Sequence, residues 1–262
     1  MKIGVSSSCF YPLETEKSFM TLAELGVKTT EVFFNSPSEL EKPFVEELNR
    51  IKTEYKMDVV SVHSFASFAE GYYIFSEYKR RFYDSLEMYK PLFNAAAQLG
   101  ARHVILHGSR VSGVITTEEY AERFAVFSAE AEKFGVQVLH ENVVNYVGQS
   151  PKFMEEMKQL LGEDFKMVLD LKQARRAGYD PLEFVDAVGT SIKHLHLSDC
   201  RGEQLCTPPS ESGEYDFKKL FERMKGIGYD GVGMIELYSN NYRSNRELVA
   251  AMEYLNGKMN TE

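Results

Sequence analysis

An alternation of short apolar segments and longer amphipathic segments runs through the whole chain and limits the folds it can adopt. Strands are predicted at 2–6, 29–34, 58–62, 102–106, 136–140, 166–169, the first part of 191–201, and 231–235. Helices are predicted at 15–25, 38–55, 77–99, 118–134, 151–161, 181–188, 216–225 and 244–255, from apolar residues at helical spacing. Alternating strands and helices indicate a parallel sheet covered by helices.

Local signals mark the ends of these segments. Ser150 and Asp180 each precede a proline, the pattern of an N-cap followed by proline in the first helical turn. Thr116 with Glu119, and Ser244 with Glu247, fit the capping box. Two stretches lack such signals, and 65–75 and 202–215 are therefore predicted to be loops.

Eight strand–helix units in 262 residues match a closed (β/α)₈ barrel, the TIM-barrel fold, as a single domain over 1–262. An open, doubly wound sheet is the alternative. Ser6, Ser7 and Ser8 follow the first strand, where a glycine-rich phosphate loop would be expected in a dinucleotide-binding sheet. We therefore predict the barrel.

The composition indicates which binding partners and which cellular compartment to expect. The net charge of −9 argues against binding to nucleic acid or to an anionic membrane surface. No apolar run approaches the roughly 20 residues of a membrane span, and the chain opens on a predicted strand instead of a signal peptide. The three cysteines, Cys9, Cys200 and Cys206, fit no zinc or redox motif and are expected to be free thiols. We expect a cytoplasmic protein with a small-molecule partner; a homo-oligomer stays open.

Ionisable residues stand where the predicted strands run into their following loops, the place at which such barrels build active sites. They are His63, His107, Glu141, Asp170, His196 and Glu236. Each alone could be structural, but together they would converge, and buried carboxylates repel one another unless a cation lies between them. Three carboxylates with one histidine suit a single divalent metal ion: Mn²⁺, Mg²⁺, Co²⁺ or Zn²⁺.

The motifs around these residues resemble those of the xylose isomerase-like barrels. The motifs are LHENV (139–143), VLDLKQA (168–174), HLHLSDCRG (194–202) and MIEL (234–237). That superfamily contains sugar and sugar-phosphate isomerases and epimerases, inositol-pathway enzymes and endonuclease IV-type repair enzymes. The resemblance implies that Glu141, Asp170, His196 and Glu236 chelate one catalytic metal ion, and that Glu141 and Glu236 also act as acid and base.

The chain also departs from the repair enzymes. Gln173 stands where they need a histidine, and 205–210 lacks the Asp and His of their third zinc site. His63 and His107 match ligands of another of their zinc ions, so they could hold a second metal ion or bind substrate hydroxyls. Gln173 also replaces a substrate-binding histidine of ketose 3-epimerases.

Residues around the mouth are further candidates for substrate contacts. Arg201 resembles the arginine that holds the substrate carbonyl side in family epimerases, although a surface charge is the alternative. Phe10, Phe34, Phe65 and Phe68 could wall the mouth.

These observations predict a metal-dependent isomerase or epimerase of a sugar or sugar phosphate. It would remove a proton next to a carbonyl and form an enediolate that the metal ion stabilises. Two glutamates on opposite sides would invert the carbon centre, whereas one acting alone would interconvert aldose and ketose. A keto-inositol-type dehydratase is the alternative, and a DNA phosphodiesterase is disfavoured by the acidic charge.

Overall fold

Eight parallel strands close into a barrel in the computed structural model, which describes residues 1–110 and 115–260. Residues 111–114 and 261–262 of the predicted domain lie outside the described residues. The barrel strands are β1 (Lys2–Ser6), β2 (Thr29–Phe33), β3 (Asp58–His63), β4 (His103–Leu106), β5 (Gln137–Glu141), β6 (Met167–Asp170), β7 (Ile192–Leu197) and, after a hairpin, β10 (Val232–Ile235). β1 pairs with β2 on one side and with β10 on the other, which closes the sheet and confirms the predicted (β/α)₈ barrel.

Helices surround the barrel. They are α1 (Thr15–Glu24), α2 (Lys42–Tyr55), α3 (Glu70–Tyr73), α4 (Lys79–Leu99), α5 (Thr117–Glu132), α6 (Pro151–Leu161), α7 (Leu171–Arg176), α8 (Pro181–Val188), α9 (Phe217–Gly226) and α10 (Asn245–Asn260). Every predicted helix is present, and the predicted N-caps at Thr116, Ser150 and Asp180 each accept a backbone hydrogen bond. None of the described helices is long and apolar enough to cross a membrane.

Two short elements replace predicted loops. α3 forms within 65–75, and an antiparallel hairpin of β8 (Asp199–Arg201) and β9 (Gln204–Thr207) forms after β7. The carboxylate of Asp199 organises the hairpin, because it accepts hydrogen bonds from the backbone N–H groups of Cys200, Ser210, Glu214 and Tyr215. These partners lie up to 16 residues away, so no local sequence signal predicts the hydrogen bonds.

The main core lies between the barrel and the helices. Phe93 of α4 packs edge-to-face on Phe127 of α5, with ring centroids 5.4 Å apart, and both side chains are fully buried. A fully buried side chain of this size contributes about 1.5–3 kcal/mol relative to an exposed one. This layer fixes the helices against the outer face of the barrel.

Two small apolar clusters lie apart from the outer core. They contain Val60, Val232 and Met234, and Ile105, Leu139 and Val168. Four of these residues stand two positions before a predicted site residue; Leu139 precedes Glu141 and Val168 precedes Asp170 in this way. Because side chains alternate along a strand, the apolar residues share a face with the site residues and form an apolar floor beneath them.

Candidate metal centre

Four side chains from adjacent parts of the barrel meet at its carboxyl-terminal end. Glu141 ends β5, Asp170 ends β6, His196 lies in β7 and Glu236 follows β10. One ligand atom from each lies within 4.8 Å of those of the other three. The barrel thus gathers residues that are up to 95 positions apart in the sequence (141 to 236).

His196 lies at the centre of this acidic cluster. Its Nδ1 atom is 3.3 Å from Glu141 Oε1, 3.4 Å from Glu236 Oε2 and 3.7 Å from Asp170 Oδ2. Burial lowers the pKa of His196, but Glu31 and Glu236 outweigh it and hold that pKa well above its usual value. The cluster therefore has an excess of negative charge that favours a cation.

The donor atoms of this cluster fit a divalent metal ion. Glu141 Oε2 and Asp170 Oδ2 are both buried and accept no well-aligned hydrogen bond from any described residue, although His107 Nε2 lies 3.0 Å from the first and Lys172 Nζ 3.2 Å from the second. A buried carboxylate oxygen without well-aligned hydrogen bonds is costly, and coordination to a metal ion would remove that cost. Carboxylate oxygens with one imidazole are ligands that Mn²⁺, Mg²⁺, Co²⁺ and Zn²⁺ all accept.

Lys172 is buried against this cluster, although the sequence favours a solvated surface position for it over a phosphate-binding one. Its Nζ is 2.8 Å from Glu236 Oε2 and 3.2 Å from Asp170 Oδ2. Burial lowers the pKa of Lys172, but Asp170 and Glu236 outweigh it and hold the pKa well above its usual value. In the other direction, burial raises the pKa of Glu236, but Lys172 and His196 lower it to about 2. Both groups are therefore charged at neutral pH.

The histidines predicted to adjoin the cluster contact Glu141. His107 Nε2 is 3.0 Å and His63 Nε2 is 3.5 Å from Glu141 Oε2. Burial lowers the pKa of His107, but Glu141 outweighs it and the pKa is raised. His63, His107 and Glu141 also offer three ligand atoms within 4.8 Å of one another, so the group could hold a second metal ion.

Glu31 was also missed by the sequence analysis. It lies in β2 and is fully buried, with Oε2 3.2 Å from His196 Nε2 and 2.7 Å from Ser61 Oγ. No sequence signal pointed to it, because Glu31 lies in the middle of the strand TTEVF and not where that strand meets its loop.

The cavity above the cluster has a volume of about 460 Å³. Its polar lining includes His63, His107, Lys172 and Gln173, and its aromatic walls include Tyr11, Phe33, Phe65 and Tyr238. Of the phenylalanines expected at the mouth, Phe65 lines this cavity. Phe10 and Phe34 belong to the buried core, and Phe68 is 78% exposed. Phe33, next to Phe34 in the sequence, lines the cavity and stacks on His63 with ring centroids 4.8 Å apart.

The two remaining predicted substrate-binding residues, Gln173 and Arg201, differ in their position relative to the cavity. Gln173 lines the cavity, and its Oε1 accepts a hydrogen bond from Val144 N. Arg201 is not among the described residues that line it: its exposed guanidinium donates hydrogen bonds to Ser212 in the loop after the hairpin. This position favours the alternative of a surface charge for Arg201 over a substrate contact.

Known proteins share this architecture. At 20% identity the chain resembles the fructoselysine 3-epimerase of Shigella flexneri, with 90% of each chain covered. The solved structure of a D-tagatose 3-epimerase-like protein superimposes with a TM-score of 0.80 at 23% identity, covering 99% of this chain and 97% of that one. A probable 3-DHS dehydratase from Bacillus anthracis gives a TM-score of 0.72 at 14% identity, covering 98% and 99%.

Family membership rests on a match that spans most of the chain. At these identities, the likeness to the two solved structures shows a shared fold. The profile of the xylose isomerase-like TIM barrels matches residues 19–258, which include all six predicted strand-end residues. The chain belongs to the xylose isomerase-like TIM-barrel family.

Proposed function

We propose that this protein is a divalent-metal-dependent isomerase or epimerase that acts on a sugar or sugar phosphate. The observation that carries the proposal is the meeting of Glu141, Asp170, His196 and Glu236 within 4.8 Å beneath an open cavity. The epimerases among its relatives support a carbohydrate substrate.

The proposed metal ion would be held by these four residues. When bound, it would act as a Lewis acid that stabilises negative charge on two substrate oxygens. His63 and His107 could bind substrate hydroxyls, or they could hold a second metal ion together with Glu141. The two hypotheses predict different numbers of metal ions per chain. One equivalent per chain favours the substrate-binding role.

The proton transfers are assigned to Glu141 and Glu236. β6 and β7 separate their strands in the barrel, so the two carboxylates approach the cavity from different sides. A carboxylate within hydrogen-bond reach of a C–H next to a carbonyl can take its proton as a general base. His63 and His107 adjoin Glu141, while Lys172 and Ser8 adjoin Glu236, so each carboxylate has its own positioning partners.

Exchange of substrate hydrogen with solvent deuterium tests this proposal. Protein stripped of metal and protein reloaded with Mn²⁺ are incubated in D₂O with a panel of ketoses and their phosphates. We expect deuterium at the carbon next to the carbonyl only in the reloaded protein. Glu141→Gln and Glu236→Gln should each slow exchange by about 10²–10⁴-fold. Glu203→Gln, at an exposed position in the hairpin, is the matched control.

The same variants separate epimerase from isomerase. With two bases on opposite faces, the slowing in Glu141→Gln should fall on one epimer of a substrate pair and that in Glu236→Gln on the other. Metal content is measured for each variant, because both glutamates are proposed ligands. Absence of label from every substrate tested would contradict the proposal.

A dehydratase is the second candidate, favoured by the shared fold of the probable 3-DHS dehydratase. It would use the same proton abstraction but expel a hydroxyl group from the neighbouring carbon. Mass spectrometry of the products distinguishes the two, because dehydration lowers the product mass by one water and epimerisation leaves it unchanged.

We also propose that the protein works in the cytoplasm on a small molecule. Cys9, Cys200 and Cys206 are free and buried, as suits a reducing compartment. Cell fractionation tests the location. Light scattering tests whether identical chains associate.

A further inference from the structure

The carboxylate of Glu31 lies inside the barrel, on the side of His196 opposite to the acidic cluster. Glu31 is 0% exposed. Its Oε2 atom is 3.2 Å from His196 Nε2, whereas His196 Nδ1 is 3.3 Å from Glu141 Oε1. The two nitrogens of one imidazole therefore face two different carboxylate environments.

This arrangement has a direct consequence for the imidazole protons. A neutral histidine carries one N–H donor and one lone pair, on different ring nitrogens. If Nε2 carries the proton and donates it to Glu31, Nδ1 presents its lone pair to the cluster. A carboxylate behind a metal-binding histidine commonly fixes the tautomer and the ring orientation in this way.

Glu31 is itself held in place by hydroxyl groups. Ser6 Oγ donates to Glu31 Oε1 at 3.0 Å, and Ser61 Oγ donates to Oε2 at 2.7 Å. Ser8 Oγ donates to Ser6 Oγ at 2.9 Å and lies 3.4 Å from Glu236 Oε1. Ser6, which ends β1, and Ser8 thus connect Glu31 to a second proposed metal ligand.

Glu31 Oε2 also lies near a second imidazole of the same strand. His194 Nε2 lies 3.6 Å from it. One carboxylate oxygen is thus surrounded by Ser61, His194 and His196, and a hydrogen bond from His196 Nε2 to a carboxylate is stronger than one to a neutral acceptor.

We propose that Glu31 is a positioning residue that holds His196 with Nε2 protonated and Nδ1 free to bind the metal ion. This inference rests on the proposed function, because it assumes that a metal ion binds at the cluster. In this proposal Glu31 acts through His196 and is not itself a ligand of the ion held by the four-residue cluster.

Metal affinity and imidazole tautomer are the two measurements that test it. Zinc titration by calorimetry is compared for wild type, Glu31→Gln and Ser85→Ala. Ser85 is a buried hydroxyl on α4 that bonds its own helix, so its variant controls for loss of a buried polar group. We expect Glu31→Gln to bind Zn²⁺ about 10–100-fold more weakly, and Ser85→Ala to bind it as wild type does.

Nitrogen-15 NMR of the imidazoles gives a readout that a merely structural role would not change. In zinc-loaded wild type, His196 should carry its proton on Nε2. In Glu31→Gln the Nε2 proton signal should shift, because a neutral amide replaces the ionised acceptor. Thermal unfolding of each variant verifies that it is folded.

The outcomes separate this inference from the proposed function. Failure of wild type to bind Zn²⁺ would reject the proposed function. Tight binding by wild type with equal affinity in folded Glu31→Gln would overturn the role of Glu31 alone. If Glu31→Gln does not fold, zinc-loaded wild type decides: a proton on His196 Nδ1 would overturn the inference, and a proton on Nε2 would support it.

Discussion

Two aspartates at the ends of neighbouring strands have opposite surroundings. Asp199, just after β7, has both carboxylate oxygens engaged by backbone N–H groups of the hairpin. Asp170, at the end of β6, uses Oδ1 to cap α7 through Gln173 N, while Oδ2 accepts no well-aligned hydrogen bond from the described residues and faces the Lys172 ammonium at 3.2 Å. The first carboxylate is satisfied by the backbone of its own loop, whereas the second turns one oxygen towards the charged groups of the cluster.

The same difference distinguishes two buried histidines. The ring nitrogens of His140 contact the Tyr120 hydroxyl at 2.7 Å and the Glu141 carbonyl at 3.0 Å, and burial lowers its pKa to about 4. His196 faces carboxylates on both sides. Residue type and position therefore do not distinguish a structural residue from a metal ligand. The two differ in the groups that their polar side-chain atoms contact.

The largest difference in metal binding and activity is expected when each of the two aspartates is replaced by asparagine. Asp170→Asn should lose stoichiometric metal binding and about 10²–10³-fold in activity, because it removes an anionic ligand from the cluster. Asp199→Asn should retain both. Metal analysis of the purified variants and steady-state kinetics check this, and loss of metal from Asp199→Asn would break the comparison.

The reverse order is expected for stability. Asp199→Asn should lower the free energy of unfolding by about 2–3 kcal/mol, since a buried amide replaces an ionised acceptor of several N–H groups. Urea denaturation of metal-free protein measures it. An effect of Asp170→Asn as large as that of Asp199→Asn would argue that Asp170 is equally structural.

The histidines predict a dependence of stability on pH. The unfolded state takes up a proton at His140 near pH 6.5, while the folded state holds it off until about pH 4. The unfolded state thus binds more protons in this window, and stability falls as pH falls. Between pH 6.5 and 5 the loss due to His140 should be about 2 kcal/mol. Urea denaturation across this range should show a flatter slope for His140→Asn, and an unchanged slope would be inconsistent with a neutral buried His140.

The smallest effect is expected at Arg201. Because its exposed guanidinium bonds Ser212 in the loop after the hairpin, Arg201→Ala should change kcat/KM by no more than about twofold, the size expected of a surface substitution. Steady-state kinetics on the identified substrate measure it. A loss above tenfold would return Arg201 to the substrate site.

The fold could be predicted because its signals are local. Strand–helix alternation and caps such as Ser150 and Asp180 depend on neighbouring residues, and the barrel brings the strand-end residues to one side whatever their spacing. Helix α10 shows the limit of such signals. It continues through Gly257 to Asn260, although the glycine predicted its end near residue 255.

The unpredicted parts of the site depend on distant contacts. Glu31 meets His196 across 165 positions, and Lys172 meets Glu236 across 64. The residues next to Glu31 and Lys172 in the sequence do not indicate these contacts. The surface position of Arg201 depends on distant contacts too, because the hairpin that carries it is held by residues such as Glu214 and Tyr215, whose N–H groups bond Asp199.

The hydrogen bond between Gln173 Oε1 and Val144 N limits which ligand groups this side-chain amide can bind. With its oxygen occupied by the neighbouring loop, Gln173 offers chiefly its NH₂ group to the cavity. A histidine at this place could change between donor and acceptor with its protonation, whereas the amide keeps its two N–H donors whatever the pH. An oxygen of a ligand beside this NH₂ group must present a lone pair to it, which favours one orientation of a hydroxyl or carbonyl group on this side of the cavity.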